Sequence, residues 1–108
     1  MRFERTDPFK ADYQRLSKAE REKFRSAVRT FNTACDHFVK TKDPSSWPTN
    51  LRVKAVMNAP GIFEMTWSFS GPDGRATWEW TTVGDAEGRP SPAVRWRRLG
   101  GHRIFRGP

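Results

Sequence analysis

Few side chains of this 108-residue chain can move a proton near neutral pH: two histidines, His37 and His102, and carboxylates that fall beside cations. Imidazole is the usual acid or base in that range. His102 follows Gly100-Gly101 inside a stretch, Arg89 to Pro108, that holds six Arg and no Asp or Glu. Neighbouring cations favour the neutral, base-competent imidazole. Arginine presents a planar fork to phosphate and stacks on bases, so the stretch reads as a phosphate-binding strip. The competing reading is an edge strand defended by charge. His37 lies off the apolar stripe of a long helix and reads as a surface histidine. Cys35 lies within that stripe and reads as a small buried hydrophobe.

The carboxylates gain meaning from the strands that carry them. From Leu51 onward apolar residues alternate with polar ones, the period of a half-buried strand. Leu51 to Ala55, Ile62 to Phe69, Arg75 to Thr82 and Ala93 to Leu99 are predicted strands. Their apolar residues, among them Met65, Trp67, Trp78 and Trp96, form one face. The other face, expected to be uncovered, collects Arg52, Lys54, Glu64, Thr66, Arg75, Thr77, Glu79, Arg95 and Arg97. Two readings of it stand side by side. Cations and short hydroxyls suit a nucleic-acid strand. Equally, Glu64 with Arg75, and Glu79 with a strand Arg, are ordinary cross-strand pairs. Gly71-Pro72-Asp73-Gly74 is predicted as a hairpin turn, and Val83 to Pro92 as a longer loop.

Helices precede the sheet. Met1 to Thr6 reads as a short strand. Asp7-Pro8 reads as a helix start with Asp7 as N-cap, and Phe9, Tyr13 and Leu16 follow on one face. Ser17-Lys18-Ala19-Glu20 is a capping-box pattern. Phe24, Val28, Phe31, Cys35 and Phe38 then recur at helical spacing, which predicts a helix over 17–39. Thr41 to Asn50 reads as a connecting loop. The expected fold is α+β, a single domain over 1–108: an antiparallel sheet of four to five strands with an N-terminal helical hairpin packed on one face.

Composition narrows the function. The chain counts 20 Lys+Arg against 12 Asp+Glu, a formal charge of +8, which points to a polyanionic partner. A single cysteine rules out an internal disulfide framework and a multi-cysteine zinc site. There is no Walker loop, GxGxxG, HExxH or GxSxG pattern. No run reaches the roughly 18–20 apolar residues of a membrane span. The N-terminus lacks the apolar core of a signal peptide, so a cytoplasmic protein is expected.

Leu51-Arg52-Val53-Lys54, Pro60-Gly61-Ile62-Phe63-Glu64-Met65 and Arg98-Leu99-Gly100-Gly101-His102-Arg103-Ile104-Phe105 together resemble the RelE/ParE superfamily of type II toxin–antitoxin toxins. The last segment looks like the R-x-G-x-H ending of the YafQ-like branch. The resemblance implies a RelE-like fold and a ribosome-dependent mRNA endoribonuclease. In that reaction a ribose 2′-OH attacks the adjacent phosphate, with no metal or cofactor. It implies His102 as general acid or base and Arg98 as phosphate stabiliser. Arg75 and Lys54 stand at suitable outward positions, and Glu64 is a second acid/base or orients an Arg. Arg52, Arg95 and Arg97 join the RNA-binding set, with Phe105 as a stacking aromatic. Strand alternation puts Arg98 beside Val94 and Trp96, so it needs a bulge to reach the outward face. Thr66 stands where many relatives have a basic residue, and Phe105 where several have Tyr. The implied partners are a cognate acidic antitoxin, in an oligomeric complex, and mRNA on the ribosome, with no membrane. The rival expectations are a ParE-like toxin that binds DNA gyrase and a non-catalytic RNA- or protein-binding module.

Overall fold

Two N-caps set the helical half of the chain. The Thr6 hydroxyl accepts from the Phe9 amide and starts α1, Asp7–Arg15. The cap is thus Thr6, one residue before the Asp7 expected for the role. Ser17 starts α2, Lys18–Thr41, with the full capping box: its hydroxyl accepts from the Glu20 amide, and the Glu20 carboxylate accepts from the Ser17 amide. Such a cap supplies partners for two amides that helix geometry leaves orphaned. α2 ends at a left-handed Lys42. The structure, a computed structural model, describes residues 1–68 and 73–108, the side chain of His102 excepted. The expected inward Phe69 and the turn residues Gly71 and Pro72 lie outside the described residues.

Five strands form one sheet: β1 Arg2–Arg5, β2 Lys54–Ala55, β3 Ile62–Ser68, β4 Gly74–Gly84 and β5 Pro90–Gly100, in the order β1-β5-β4-β3-β2. The expectation of a wholly antiparallel sheet is corrected. β2 to β5 form an antiparallel meander, but β1 runs parallel to β5, with Phe3 opposite Val94. The meander fixes the direction of β5. β1 is separated from it by both helices, so no hairpin forces an antiparallel pairing.

Three boundaries also shift. The expected strand over 51–55 shrinks to Lys54–Ala55, because Leu51 closes a 3-10 turn, Thr49–Leu51, and Arg52 is left-handed at φ 47°. That turn buries Leu51 by a route other than strand pleating. The connection from Thr41 to Asn50 also holds a short 3-10 turn, Pro44–Ser46. The expected long loop 83–92 is half strand, since β4 runs to Gly84 and β5 starts at Pro90. The Asp85 carboxylate accepts from the Glu87 and Arg89 amides, and Gly88 takes φ 75°, so a five-residue turn suffices. Pro90 and Pro92 precede the point where β1 joins β5 at Ala93. Their missing amides therefore face a free edge.

Phe31 of α2, fully buried, is the centre of the core. Its ring lies 5.0 Å from Trp78, 5.3 Å from Trp96 and 5.5 Å from Trp47. These rings join α2, β4, β5 and the connecting loop in one aromatic cluster. Met65, Trp67, Trp78, Val94 and Trp96 face the helices, as the alternation predicts. The opposite face is not the uncovered surface expected. Thr77 is 0% and Thr66 1% exposed, and Glu64, Ser68 and Arg75 are also buried. After β5 the chain forms a 3-10 turn, His102–Arg106, that buries Ile104. The oxygen of Pro108 accepts from the Thr77 hydroxyl and from Arg97 Nε, both at 3.0 Å. The C-terminal segment is thus tied down on the polar side of the sheet.

Candidate active site on the outer face of the sheet

Register brings Lys54, Glu64 and Thr77 into one row across β2, β3 and β4, with Thr66 opposite Arg75 in the next row. The Glu64 carboxylate lies 3.9 Å from both Lys54 Nζ and Arg75 Nε, by the same oxygen, Oε1. These are ion pairs too long for hydrogen bonds. The Arg75 side chain is only 10% exposed. Its Nη2 donates to Asp73 at 3.3 Å. Its Nη1 is buried with no hydrogen-bond partner among the described residues. A buried guanidinium N–H without an acceptor costs free energy. Being buried, it meets an outside anionic oxygen only when its cover moves aside.

The backbone brings His102 to this end of the sheet. Gly100 pairs with Arg75, and the next two residues lead into the His102–Arg106 turn. Phe105 on that turn is half-buried, and Arg103 is exposed. Lys54, Glu64, Arg75 and the His102 backbone thus gather in one region.

The remaining predicted residues are engaged elsewhere. Glu79 bridges Arg95 and Arg97, each at 2.9 Å, and Arg95 also reaches Glu4 and Thr81. Donation to the Glu79 carboxylate first, and the charge and hydrogen bond of Glu4 after it, raise the Arg95 pKa further. Arg52 sits in the link before β2, exposed. Arg98 does meet a bulge. Thr77 opposes Arg98 while Trp78 opposes Trp96, so Arg97 is the extra residue. The bulge turns Arg98 toward α1 and away from the Glu64 region. Arg98 Nε donates to Asp12 at 2.7 Å, and Nη1 donates to the Gly107 carbonyl. The Asp12 hydrogen bond raises the Arg98 pKa further.

Asp12 is the residue the sequence reading missed. It is 5% exposed and accepts from Arg98, Arg15 and the Leu99 backbone amide, the last at 3.0 Å. β1 ends opposite Trp96, so beyond that point the β5 edge lacks a strand partner. Asp12 supplies the missing acceptor. The signal was present: Asp12 shares the helical face of Phe9, Tyr13 and Leu16, where a charge is out of place unless paired.

His37 and Cys35 behave as read. His37 is exposed and its Nδ1 lies 2.7 Å from the Ser46 hydroxyl. Cys35 is fully buried. Burial, with a smaller contribution from the Asp36 charge, pushes its thiol up to about 12. That leaves no thiolate near neutral pH for nucleophilic chemistry. No helix among the described residues is long and apolar enough to cross a membrane. No protein-family model, curated protein or solved structure matches the chain. Functional argument therefore rests on these side chains. A carboxylate between an ammonium and a guanidinium, the latter with a donor that has no partner among the described residues, brings a proton acceptor and phosphate-binding cations to one place.

Proposed function

We propose that the chain is a ribonuclease toxin with a RelE-like fold, cleaving mRNA on the ribosome without a metal. One observation carries the reading: Glu64 lies between Lys54 and Arg75, and Arg75 Nη1 is buried without a partner among the described residues. Cleavage of RNA by its own 2′-OH needs a base, an acid and cations for the phosphorane. Glu64 or His102 accepts the 2′-OH proton, and the freed oxygen attacks the adjacent phosphorus. The bond to the 5′-oxygen breaks, and the other of the two groups protonates it. The products are a 2′,3′-cyclic phosphate and a 5′-hydroxyl. Arg75 and Lys54 hold the non-bridging oxygens, where Nη1 finds its acceptor. In this reading the protein is cytoplasmic. A cognate acidic antitoxin competes for the basic C-terminal segment in an oligomeric complex, folding as it binds.

A second reading has an observation of its own. Arg95, Arg97 and Arg98 are all held in ion pairs, which suits an RNA- or protein-binding module without catalysis. Induced expression of wild type, His102→Ala, Glu64→Gln and Arg75→Ala, with primer extension on cellular mRNA, separates the two. The ribonuclease reading expects growth arrest with discrete cuts. The cuts should fall by about 10²-fold or more when an acid or base is removed. Arrest without cuts, indifferent to these variants, points to a gyrase-directed toxin. No arrest from any form leaves the binding module.

A further inference from the structure

The helices diverge from their linker. α1 packs against β5, α2 crosses the sheet toward β3, and an open groove of about 750 Å³ separates them. Its floor is apolar: Phe3, Phe9, Phe24, Val28 and Trp96. Its two walls carry cations. Arg5 and Lys10 stand on the β1–α1 side, and Arg25 and Arg29, one helical turn apart, on the α2 side. No Asp or Glu lines it.

These cations differ from those of the outer sheet face. Arg95 and Arg97 are neutralised by Glu79. Among the described residues, neither Arg5 nor Arg29 has an ion-pair partner. Lys10 reaches only Asp7, at 3.9 Å, and that carboxylate is 99% exposed, so the pair is worth little. Arg25 donates to the Tyr13 hydroxyl, a neutral group, at 2.9 Å. The groove is a strip of apolar surface between two rows of uncompensated positive charge.

The floor decides among polyanions. A single-stranded RNA would need open aromatic faces for its bases. Here Phe9 stacks on Trp96 at 5.8 Å, and Phe24 meets Trp96 edge-on at 5.4 Å. Each of the three rings is at most 5% exposed. The rings are turned into one another, and the accessible apolar lining is the half-buried Phe3 and Val28, which offer no open aromatic platform for a row of bases. An occupant must therefore place an apolar ridge in the groove and acids on both flanks. Arg25 and Arg29, one turn apart on α2, match the repeat of a helical ligand. We propose that this groove docks an amphipathic helical segment of a partner protein, apolar along one stripe and acidic on either side of it. The groove lies on the helix side of the sheet, so the proposal does not rest on the ribonuclease reading.

The test uses a displayed library of random peptides of about 18 residues, five helical turns, selected against the full chain. The expected winners carry Leu, Ile or Phe at i, i+3, i+4 and i+7, with Asp or Glu beside them. A synthetic winner should lose at least about tenfold in affinity for the double variant Arg5→Glu, Arg29→Glu. Both residues are exposed, and circular dichroism verifies that the variant folds. It should also shift the Trp96 indole and Tyr13 ring resonances. Selection without a consensus, basic or uncharged winners, or equal binding to the double variant overturns the proposal. So does a short oligouridylate, or vesicles of anionic lipid, that shifts the same resonances while the peptides do not. Cleavage of RNA is not read, so failure here and failure of the ribonuclease reading are distinguishable.

Discussion

A buried carboxylate is informative because its neighbours must account for its charge. Asp12 satisfies three donors at once; its removal orphans the buried Leu99 amide and leaves Arg98 without its counter-charge, while Arg15, 75% exposed, returns to water. Breaking a buried ion pair from one side typically costs about 3–5 kcal/mol. Exposure of Arg98, 29% by side chain, lets water recover part of this, which places Asp12→Ala near the lower end. Asp12→Asn keeps an acceptor for Leu99 and should lose less. Urea unfolding midpoints rank wild type, Asn and Ala in that order; equal Ala and wild type would show that the clamp contributes nothing. Glu20 makes a smaller, pH-dependent contribution. Its hydrogen bonds with Ser17, the backbone one first, lower its pKa from 4.5. A lowered carboxylate stabilises the fold above its ordinary pKa, and this is lost as pH falls through the lowered value. Glu20→Gln should flatten the stability profile below about pH 4.5 relative to wild type, while Ser17→Ala costs about 1 kcal/mol of cap at neutral pH. An unchanged acid limb in Glu20→Gln would remove the capping box from the account.

Periodicity read the elements well wherever one face is buried. α2 and the inward sets of β3, β4 and β5 follow from apolar spacing alone, because a one-residue slip would expose Trp78 or Trp96. What periodicity does not encode is pairing length. Leu51 and Val53 alternate as a strand does, yet β3 begins only at Ile62, and the Val56 amide already closes onto Ile62. β5 starts earlier than its apolar run because Asp85 shortens the turn by hydrogen bonds invisible to hydropathy. Gly74 illustrates the same limit. Its glycine-rich neighbourhood suggested a turn, but it opens β4 opposite Ser68, beside a bulge at Trp67. An added Cβ would sit 2.6 Å from Trp67 Cζ2, so glycine is there for the indole. Gly74→Ala must displace that ring and strain its hydrogen bond to the Arg75 carbonyl, 2.9 Å in the native chain. Overpacking of this kind costs about 1–3 kcal/mol. In a Trp67→Leu background the same alanine should cost much less, a non-additivity that a double-mutant cycle in urea measures directly. Additive effects would mean that the strain lies in the backbone and not against the indole.

At the scale of the molecule, the candidate site was only half legible. Alternation placed Lys54, Glu64 and Arg75 on one face correctly. It could not show that the chain's own end comes back to cover that face, since a glycine-rich tail carries no period. Its reading of Glu79 with a strand Arg agrees with the pairs to Arg95 and Arg97, but it could not show that Asp12 takes Arg98. Three of the six Arg in the last twenty residues are therefore neutralised within the fold. The tail is held by Ile104, 3% exposed, by Pro108 on Thr77 and Arg97, and by Gly107 on Arg98. Each of these contacts joins the tail to a sheet that is already complete without it. Large-to-small substitution of a buried Ile costs about 2–5 kcal/mol where the whole fold depends on it. Hydrogen bonds of the kind that remain contribute only about 1 kcal/mol each. Ile104→Ala should therefore release the tail as a local unit rather than unfold the protein. Hydrogen exchange should accelerate at the amides of 103–107, while those of β4 and β5 that face each other keep their protection. If the β4 and β5 amides lose protection in step with the tail, the segment is part of the global core. The polar face would then open only by unfolding, and RNA could not reach Thr77 or the buried nitrogen of Arg75 in the native state.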